Sequence, residues 1–296
     1  MRYVLVTPAK NEGLYIEDTI RSVCSQTQIP ERWVIVSDGS TDGTDEIVKR
    51  YLRLNPWIKF VRLENRGERN FAAKVHAFNA GYEKLKDLEF DVIGNLDGDI
   101  SFEEDHFEFL MKKFSEDEEL GVAGTTFREG KKQYDFRFTN IEHVTGTCQL
   151  FRRKCFEEIG GYRPNRAGGI DWVAVTTARM MGWKTRTFTE KMHFHNRTMG
   201  TATATGLKVR FKQGQKDYFL GGHPLWQVFR ALYQIRSKPF FLGGAALYLG
   251  YVWAFASGME KSVSKELMAF NRKEQMSRLK GTLRRIISSR KDRNLR

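Results

Sequence analysis

Two carboxylates stand two residues apart in Asp97-Gly98-Asp99, where the apolar run Val92-Ile93-Gly94-Asn95-Leu96 ends. Carboxylate oxygens suit a hard divalent cation such as Mg2+ or Mn2+, and residues i and i+2 of an extended chain project to one side. Both acids are therefore expected to face one ion at the rim of the fold, with Gly98 leaving room for a bulky anionic ligand near the backbone. The same triplet is also an ordinary polar turn, and its surroundings must separate the two readings. His193 and His195 share a face if their segment is extended, so one of them could complete a metal or diphosphate site; an ordinary hydrogen-bonded histidine is the competing reading for each. Lys74 and Arg69, on or near the helix before the Asp97 strand, are within reach of phosphate or are solvated surface charges.

The elements that must position these groups alternate. Residues 3–7 read as a buried strand, Pro8-Ala9-Lys10-Asn11-Glu12-Gly13 as a loop, and residues 16–23 as a helix with apolar positions at Ile16, Ile20 and Val23. Residues 33–37 form a second strand, followed by the turn-forming run from Asp38 to Thr44 and a helix over 45–52 with Thr44 as its N-cap. A strand over 58–63, a helix over 70–85 and the Asp97 strand continue the series, which predicts an α/β fold with a mostly parallel sheet and helices on both faces. In such sheets ligands collect at the carboxyl ends of the strands. The Pro8 to Glu12 loop, Asp38 and the Asp97/Asp99 pair should then converge on one crevice.

In combination, Thr7-Pro8-Ala9-Lys10-Asn11-Glu12, Gln26 with Pro30, the run from Ser37 to Thr44, Asp97-Gly98-Asp99, and Gly160-Gly161-Tyr162 followed by Ile170-Asp171-Trp172 resemble the family 2 glycosyltransferases, over residues 3 to about 200. That resemblance implies a Rossmann-like GT-A fold. It implies that Pro8, Ala9, Asn11, Glu12, Asp38 and Ser40 hold the nucleotide and that Asp97 and Arg197 meet the sugar diphosphate, where Gly98 and Lys74 are added from their own chemistry and position. It also implies a divalent metal on Asp97 and Asp99 and Asp171 as catalytic base, and of the two histidines read from their spacing His195 is the one added to that metal. The chain departs from the family in showing Ser37-Asp38 where two acids are common, and Ile170-Asp171 where Glu-Asp is common. The chemistry implied is single displacement with inversion: a carboxylate takes the acceptor's proton as it attacks, and a cation stabilises the leaving diphosphate. Asp171 could instead only cap a helix over 172–181. Thr145-Gly146-Thr147-Cys148 falls near the acceptor by the same resemblance.

Composition adds a second region. The 296 residues carry a formal +13, of which residues 259–296 contribute +8 from 12 Lys/Arg against 4 Asp/Glu. Residues 240–259 are uncharged up to Met259, long enough for a span, yet interrupted by Gly243, Gly244, Gly250, Ser257 and Gly258. A bilayer span, an in-plane or re-entrant segment and a buried helix all compete there, with basic residues on both flanks favouring a surface-lying segment. Leu279, Leu283, Ile286 and Ile287 recur at helical spacing among Arg278, Lys280, Arg284 and Arg285, a pattern for anionic lipid or for a solvated tail. No recognition motif points to nucleic acid. Cys24, Cys148 and Cys155 show no metal spacing or disulfide framework, and no signal peptide precedes the first strand, so a reducing cytosolic setting is expected.

These readings combine into a catalytic domain over 1–205 and a basic, helical, membrane-associating extension over 206–296. The expected activity is metal-dependent transfer of one sugar from a nucleotide sugar, a UDP-sugar foremost, to a glycan or lipid-linked acceptor at the cytosolic membrane face. Polymer synthases of the family usually carry Gln-x-x-Arg-Trp; this chain has Gln227-Val228-Phe229-Arg230-Ala231. Two other classes compete: a catalytically silent nucleotide-binding membrane adaptor, disfavoured by the intact acids, and a nucleotidyltransferase, which lacks a glycine-rich basic loop here.

Overall fold

A computed structural model of the chain divides into two compact units, Met1–Met199 and Gly200–Arg296. It describes residues 1–64, 71–129, 132–133, 140–165, 168–197, 206–235 and 240–293. Arg69, Arg236 and Lys238, and the side chains of Arg285, Ile286 and Ile287, lie outside the described residues.

The first unit runs β1 (Tyr3–Ala9), α1 (Ile16–Cys24), β2 (Arg32–Asp38), α2 (Thr44–Leu52), β3 (Ile58–Leu63), α3 (Phe71–Glu83), β4 (Val92–Leu96), β5 (Ile100–Phe102), α4 (His106–Glu116), β6 (Leu120–Glu129), β7 (Lys132–Gln133), β8 (Cys148–Arg152), α5 (Arg153–Glu158), α6 (Ile170–Met180) and β9 (Lys184–His195). The sheet order is β3-β2-β1-β4-β8-β6-β9-β5, with β7 hooked onto β6. β3, β2, β1 and β4 are parallel; β8 runs antiparallel to β4 and β6, and β5 antiparallel to β9. β4 and β5 are consecutive in sequence yet four neighbours apart in the sheet, a flat distance of about 19 Å at ~4.8 Å per step. The link from Leu96 to Ile100 reaches at most about 14 Å, so the sheet has to curl.

Alternation along the strands fills two cores. Tyr3, Leu5, Trp33 and Ile35 pack with Ile16, Ile20 and Val23 of α1 and with Phe107 and Leu110 of α4. Val4, Val6, Val34 and Val36 face the other way, onto Val75 and Phe78 of α3, Phe156 of α5 and Ala174 of α6. The i, i+4, i+7 spacing of Ile16, Ile20 and Val23 puts all three at zero exposure, each stabilising by about 1.5–3 kcal/mol.

Three local expectations are corrected. Pro8 and Ala9 belong to β1 rather than to a loop, because pairing with β2 continues through Pro8 and Ala9 while pairing with β4 stops at Val6. The missing Pro8 N–H therefore leaves no ladder bond open on the β4 side. Thr44 begins α2 but does not cap it; left-handed Gly43 holds the cap position, and Thr44 Oγ1 accepts instead from the Glu12 N–H (2.9 Å). Asp97-Gly98-Asp99 is a turn between β4 and β5, not an extended strand end.

His106, the first residue of α4, is fully buried against Phe102 (5.0 Å between rings), with Nδ1 unpaired. Burial, aided by the charge of Lys191, pushes its pKa down to about 3. The unfolded imidazole takes its proton near pH 6.5. The unfolded chain therefore binds more protons between those values, and stability present above pH 6.5 falls as the pH drops, by up to about 1.4 kcal/mol per unit from this group. We expect His106→Leu to flatten that acid slope in thermal unfolding measured from pH 7 to pH 4. An unchanged slope assigns the acid sensitivity to other groups.

The second unit is helical: α7 (Leu207–Phe219), α8 (Pro224–Gln234), α9 (Leu242–Ala256) and α10 (Lys265–Arg293). Two of the glycines that interrupt the apolar run, Gly244 and Gly250, sit at helix contacts, as does Gly214 of α7. A Cβ on Gly250 would collide with the Phe211 carbonyl, on Gly214 with the Leu247 carbonyl, and on Gly244 with the Ala231 carbonyl. α9 has 15 residues, about 22 Å, short of a hydrocarbon core of about 30 Å. The bilayer-span reading of residues 240–259 is therefore corrected, and no helix among the described residues is long and apolar enough to cross a membrane. α9 nevertheless exposes Leu242, Leu249, Val252, Trp253 and Phe255, and α8 exposes Leu225, Val228 and Leu232 at i, i+3, i+7. This unit holds 19 Lys/Arg against 5 Asp/Glu, whereas Met1–Met199 holds 30 against 31.

Candidate active site

Parallel pairing of β1 with β2 places Ala9 beside Ser37, so the chain leaving β1 lies against the chain leaving β2. Asn11 takes a left-handed conformation (φ 54°), which its short amide side chain tolerates. Its N–H donates to Ser40 Oγ (3.1 Å) and its Oδ1 accepts from the Thr41 N–H (2.9 Å). The Gly13 N–H donates to Asp42 Oδ2 (2.8 Å), and Lys10 Nζ pairs with Asp38 at 3.3 Å, both nearly buried. Two loops are thus laced into one wall. Ala9 turns its methyl into the core, so only its backbone can meet a ligand.

On the Asp97-Gly98-Asp99 turn, Lys74 Nζ donates to Asp97 Oδ1 (2.5 Å), while Asp99 has His195 Nε2 at 3.6 Å and Arg197 Nε at 3.5 Å. Arg197 also pairs with Glu12 and lies over the Tyr15 ring (5.1 Å). Asp99 is buried, not at the rim as expected, and burial followed by the neighbouring charge of Asp97 raises its pKa. The space at Gly98 serves the fold: an added Cβ would lie 3.0 Å from Ile16 Cδ1 and 3.3 Å from Glu12 Cγ. Of the two histidines, His193 is buried between Thr125 Oγ1 (3.1 Å) and Thr147 Oγ1 (2.8 Å), the ordinary reading, and burial pushes its pKa down. Only His195 faces the acids.

Among the described residues no three His, Cys, Asp or Glu side chains converge as ready metal ligands, so Asp97, Asp99 and His195 do not form a preassembled centre. Lys74 and Arg197 supply the positive charge around the two acids instead. The donor set still fits a hard divalent ion: two carboxylates whose mutual repulsion raises one pKa gain from a shared cation.

A cavity of about 200 Å³ lies beside this turn, and Lys74, Asp97 and Asp171 line it together with Asn95, Gly146 and Tyr162. Left-handed Gly168 and Gly169 (φ 88° and 80°) deliver the chain into α6, whose cap position is Gly169. Asp171 is the second residue of the helix and the cap position belongs to Gly169, so the capping reading is corrected. Gly146 abuts it: an added Cβ would lie 2.8 Å from Asp171 Cβ and 3.3 Å from its Oδ2. The Gly146 carbonyl is pinned by Asn95 Nδ2 (2.6 Å), and Tyr162 donates its hydroxyl proton to Gln149 Oε1 (2.6 Å) under a ring cluster with Phe78 and Phe156.

The family model described as glycosyl transferase family 2 matches residues 4–138. The chain is similar to glycosyltransferase family 2 over that stretch. Poly-beta-1,6-N-acetyl-D-glucosamine synthase of Staphylococcus epidermidis is 25% identical over 238 residues, 71% of this chain and 53% of that protein. Chondroitin synthase of Pasteurella multocida (strain Pm70) is 31% identical over 121 residues, 41% of this chain and 12% of its own length. The chain thus spans about half, or less, of these relatives. Among solved structures, the mannosyltransferase PcManGT from Pyrobaculum calidifontis, in complex with GDP-Man and Mn2+, superposes with a TM-score of 0.56 at 20% identity, covering 94% of this chain and 80% of that one. S. aureus TarS 1-349 in complex with UDP-GlcNAc gives 0.56 at 15%, covering 92% and 78%. The chain therefore has the GT-A fold, a mixed, mostly parallel, curled sheet with helices, followed by a helical extension.

Three features of this candidate site had no assigned role in the sequence reading. Asn95 announced itself only as a polar residue in an otherwise apolar buried strand. Gly146 stood in a segment assigned to the acceptor side without a role. The Arg197 to Glu12 pair links residues 185 apart, and no local pattern signals it.

Proposed function

We propose that the chain transfers a single sugar from a nucleotide sugar, a UDP-sugar foremost, to a saccharide or lipid-linked acceptor at the cytosolic face of a membrane, with inversion. The observation that carries this reading is the shared cavity, in which Lys74, Asp97 and Asp171 face one space. At about 200 Å³ it is smaller than the roughly 300–1,000 Å³ of sites that enclose a whole ligand, and suits a sugar rather than a complete nucleotide sugar. The laced loops of Asn11, Glu12, Asp38 and Ser40, with the backbone at Pro8 and Ala9, hold the nucleotide. Lys74 and Arg197 release their carboxylates to take the diphosphate. Asp171 accepts the acceptor's hydroxyl proton as the new glycosidic bond forms and the bond to diphosphate breaks. Mn2+ or Mg2+ held by Asp97 and Asp99, with His195 beside them, would stabilise charge on the leaving group.

Single transfer is supported by the second unit, where the Gln-x-x-Arg residues are used internally. Buried Gln227 donates to the Leu247 carbonyl (3.4 Å), and Arg230 pairs with Asp217 (2.5 Å). Membrane docking is supported by the exposed apolar residues of α8 and α9 on a unit with a large positive excess. Incubating the full chain with a panel of UDP- and GDP-sugars, with and without Mn2+, tests the reading through nucleoside diphosphate release. Silence across the panel with every acceptor fraction offered would sink it.

Gly146 sets where the Asp171 carboxylate sits, so Gly146→Ala is expected to lower transfer by about 10²-fold, the effect of a misplaced catalytic group, with donor affinity kept. In an Asp171→Asn background the same change should add little. Full additivity would mean that Gly146 acts on folding alone.

A further inference from the structure

A second cavity, of about 290 Å³, lies wholly within the helical unit. Its walls include the rings of Tyr218, Tyr248, Tyr251 and Phe255, and Lys261 and Arg272 line it too. Tyr218 meets Tyr251 and Phe255 edge-on at 5.4 and 6.2 Å, and the Tyr251 hydroxyl donates to the Gly222 carbonyl (2.8 Å). This fixes an aromatic box. The cations are less committed. Lys261 Nζ sits 5.2 Å over the Tyr218 ring and pairs with no carboxylate among the described residues. Arg272 spends Nε on the Gly221 carbonyl (3.0 Å), leaving its two terminal nitrogens without a protein hydrogen-bond partner among the described residues. Asp217, the acid whose charge reaches Tyr251, is already paired with Arg230. Val228, Tyr248, Val252 and Phe255 line the cavity and are also exposed, so it opens on the apolar surface of α8 and α9.

We propose that this cavity binds the phosphate head of an anionic membrane lipid. Two uncompensated cations match a phosphate, the guanidinium fork giving it direction, and the rings match the first apolar groups beyond the head. A free anion would use the cations but not the walls. A bilayer lipid uses both and is presented at the surface on which the cavity opens. The assignment rests on the membrane-docking reading and adds a defined site to it.

The test is flotation of the full chain with phosphatidylcholine vesicles, with and without a minor fraction of phosphatidylglycerol. Lys261→Gln, at an exposed position, should weaken binding to the anionic vesicles by about tenfold or more, whereas Lys208→Gln, the same charge change outside the cavity, should weaken it by no more than the roughly fivefold of one surface cation. Val228→Phe enlarges the apolar surface while filling the cavity. It should weaken anionic-vesicle binding if a head group enters there, and strengthen it if the face merely inserts. Equal loss in both lysine variants, stronger binding by Val228→Phe, or displacement of the chain from vesicles by millimolar inorganic phosphate at constant ionic strength would each overturn the proposal. A wild-type chain that ignores anionic vesicles would remove the docking reading itself; a wild-type chain that floats, with variants that float equally, would remove only the cavity.

Discussion

Asp171→Asn should leave nucleotide-sugar affinity near wild type and lower sugar transfer by about 10²–10⁴-fold, the usual contribution of a positioned general base. The amide keeps the shape of the carboxylate between Gly146 and the cavity, and Gly169 rather than Asp171 holds the cap position of α6, so folding should be unaffected. Calorimetric titration of donor, run beside a transfer assay, separates the outcomes. Lost donor affinity would move Asp171 to ground-state binding. Unchanged transfer would remove it from the chemistry.

Asp99→Asn should abolish most transfer, by about 10²-fold or more if its carboxylate helps hold a divalent ion against the diphosphate, and excess chelator should do the same to the wild type. Its effect on stability should run the other way. Asp99 is buried beside Asp97 with its pKa raised, so at neutral pH its charge opposes folding; the neutral amide should melt at the same temperature or higher without donor. Arg197 keeps Glu12 as a partner in the variant. A variant that loses activity and stability together would point to a folding role. Full activity in chelator would end the metal reading.

The acids of this site were legible because their types and spacing are chemical statements, but the shape that holds them was less so. An i, i+2 argument places Asp97 and Asp99 on one strand; the chain instead turns there because β5 leaves to pair with β9. That pairing involves residues almost a hundred positions away, which no window of sequence contains. Gln26, quoted as part of a family pattern, donates to the Glu103 carbonyl and accepts from the Phe107 N–H, satisfying an orphan donor in the first turn of α4 from 81 residues upstream. The strand and helix order from β1 to β4 was readable from apolar periodicity and turn residues. Thr44 misled because a threonine before a helix reads as a cap, while the actual cap conformation is left-handed and belongs to glycine.

The glycine contacts between α7 and α9 bear on how this protein can change over time. Where Gly214 meets the Leu247 carbonyl and Gly250 meets the Phe211 carbonyl, main chain rests on main chain, and the close approach of the two helices is set there before any side chain on their outer faces. Those outer positions are free to drift, exchanging one apolar or aromatic residue for another as the surface they meet changes, without repacking the pair. The glycines themselves have no such freedom, since even a methyl group on either helix forces the other to recede. In a mutational scan of this region, tolerance should therefore alternate sharply along α9, with Gly244 and Gly250 rejecting every substitution while Leu242 and Leu249 accept many.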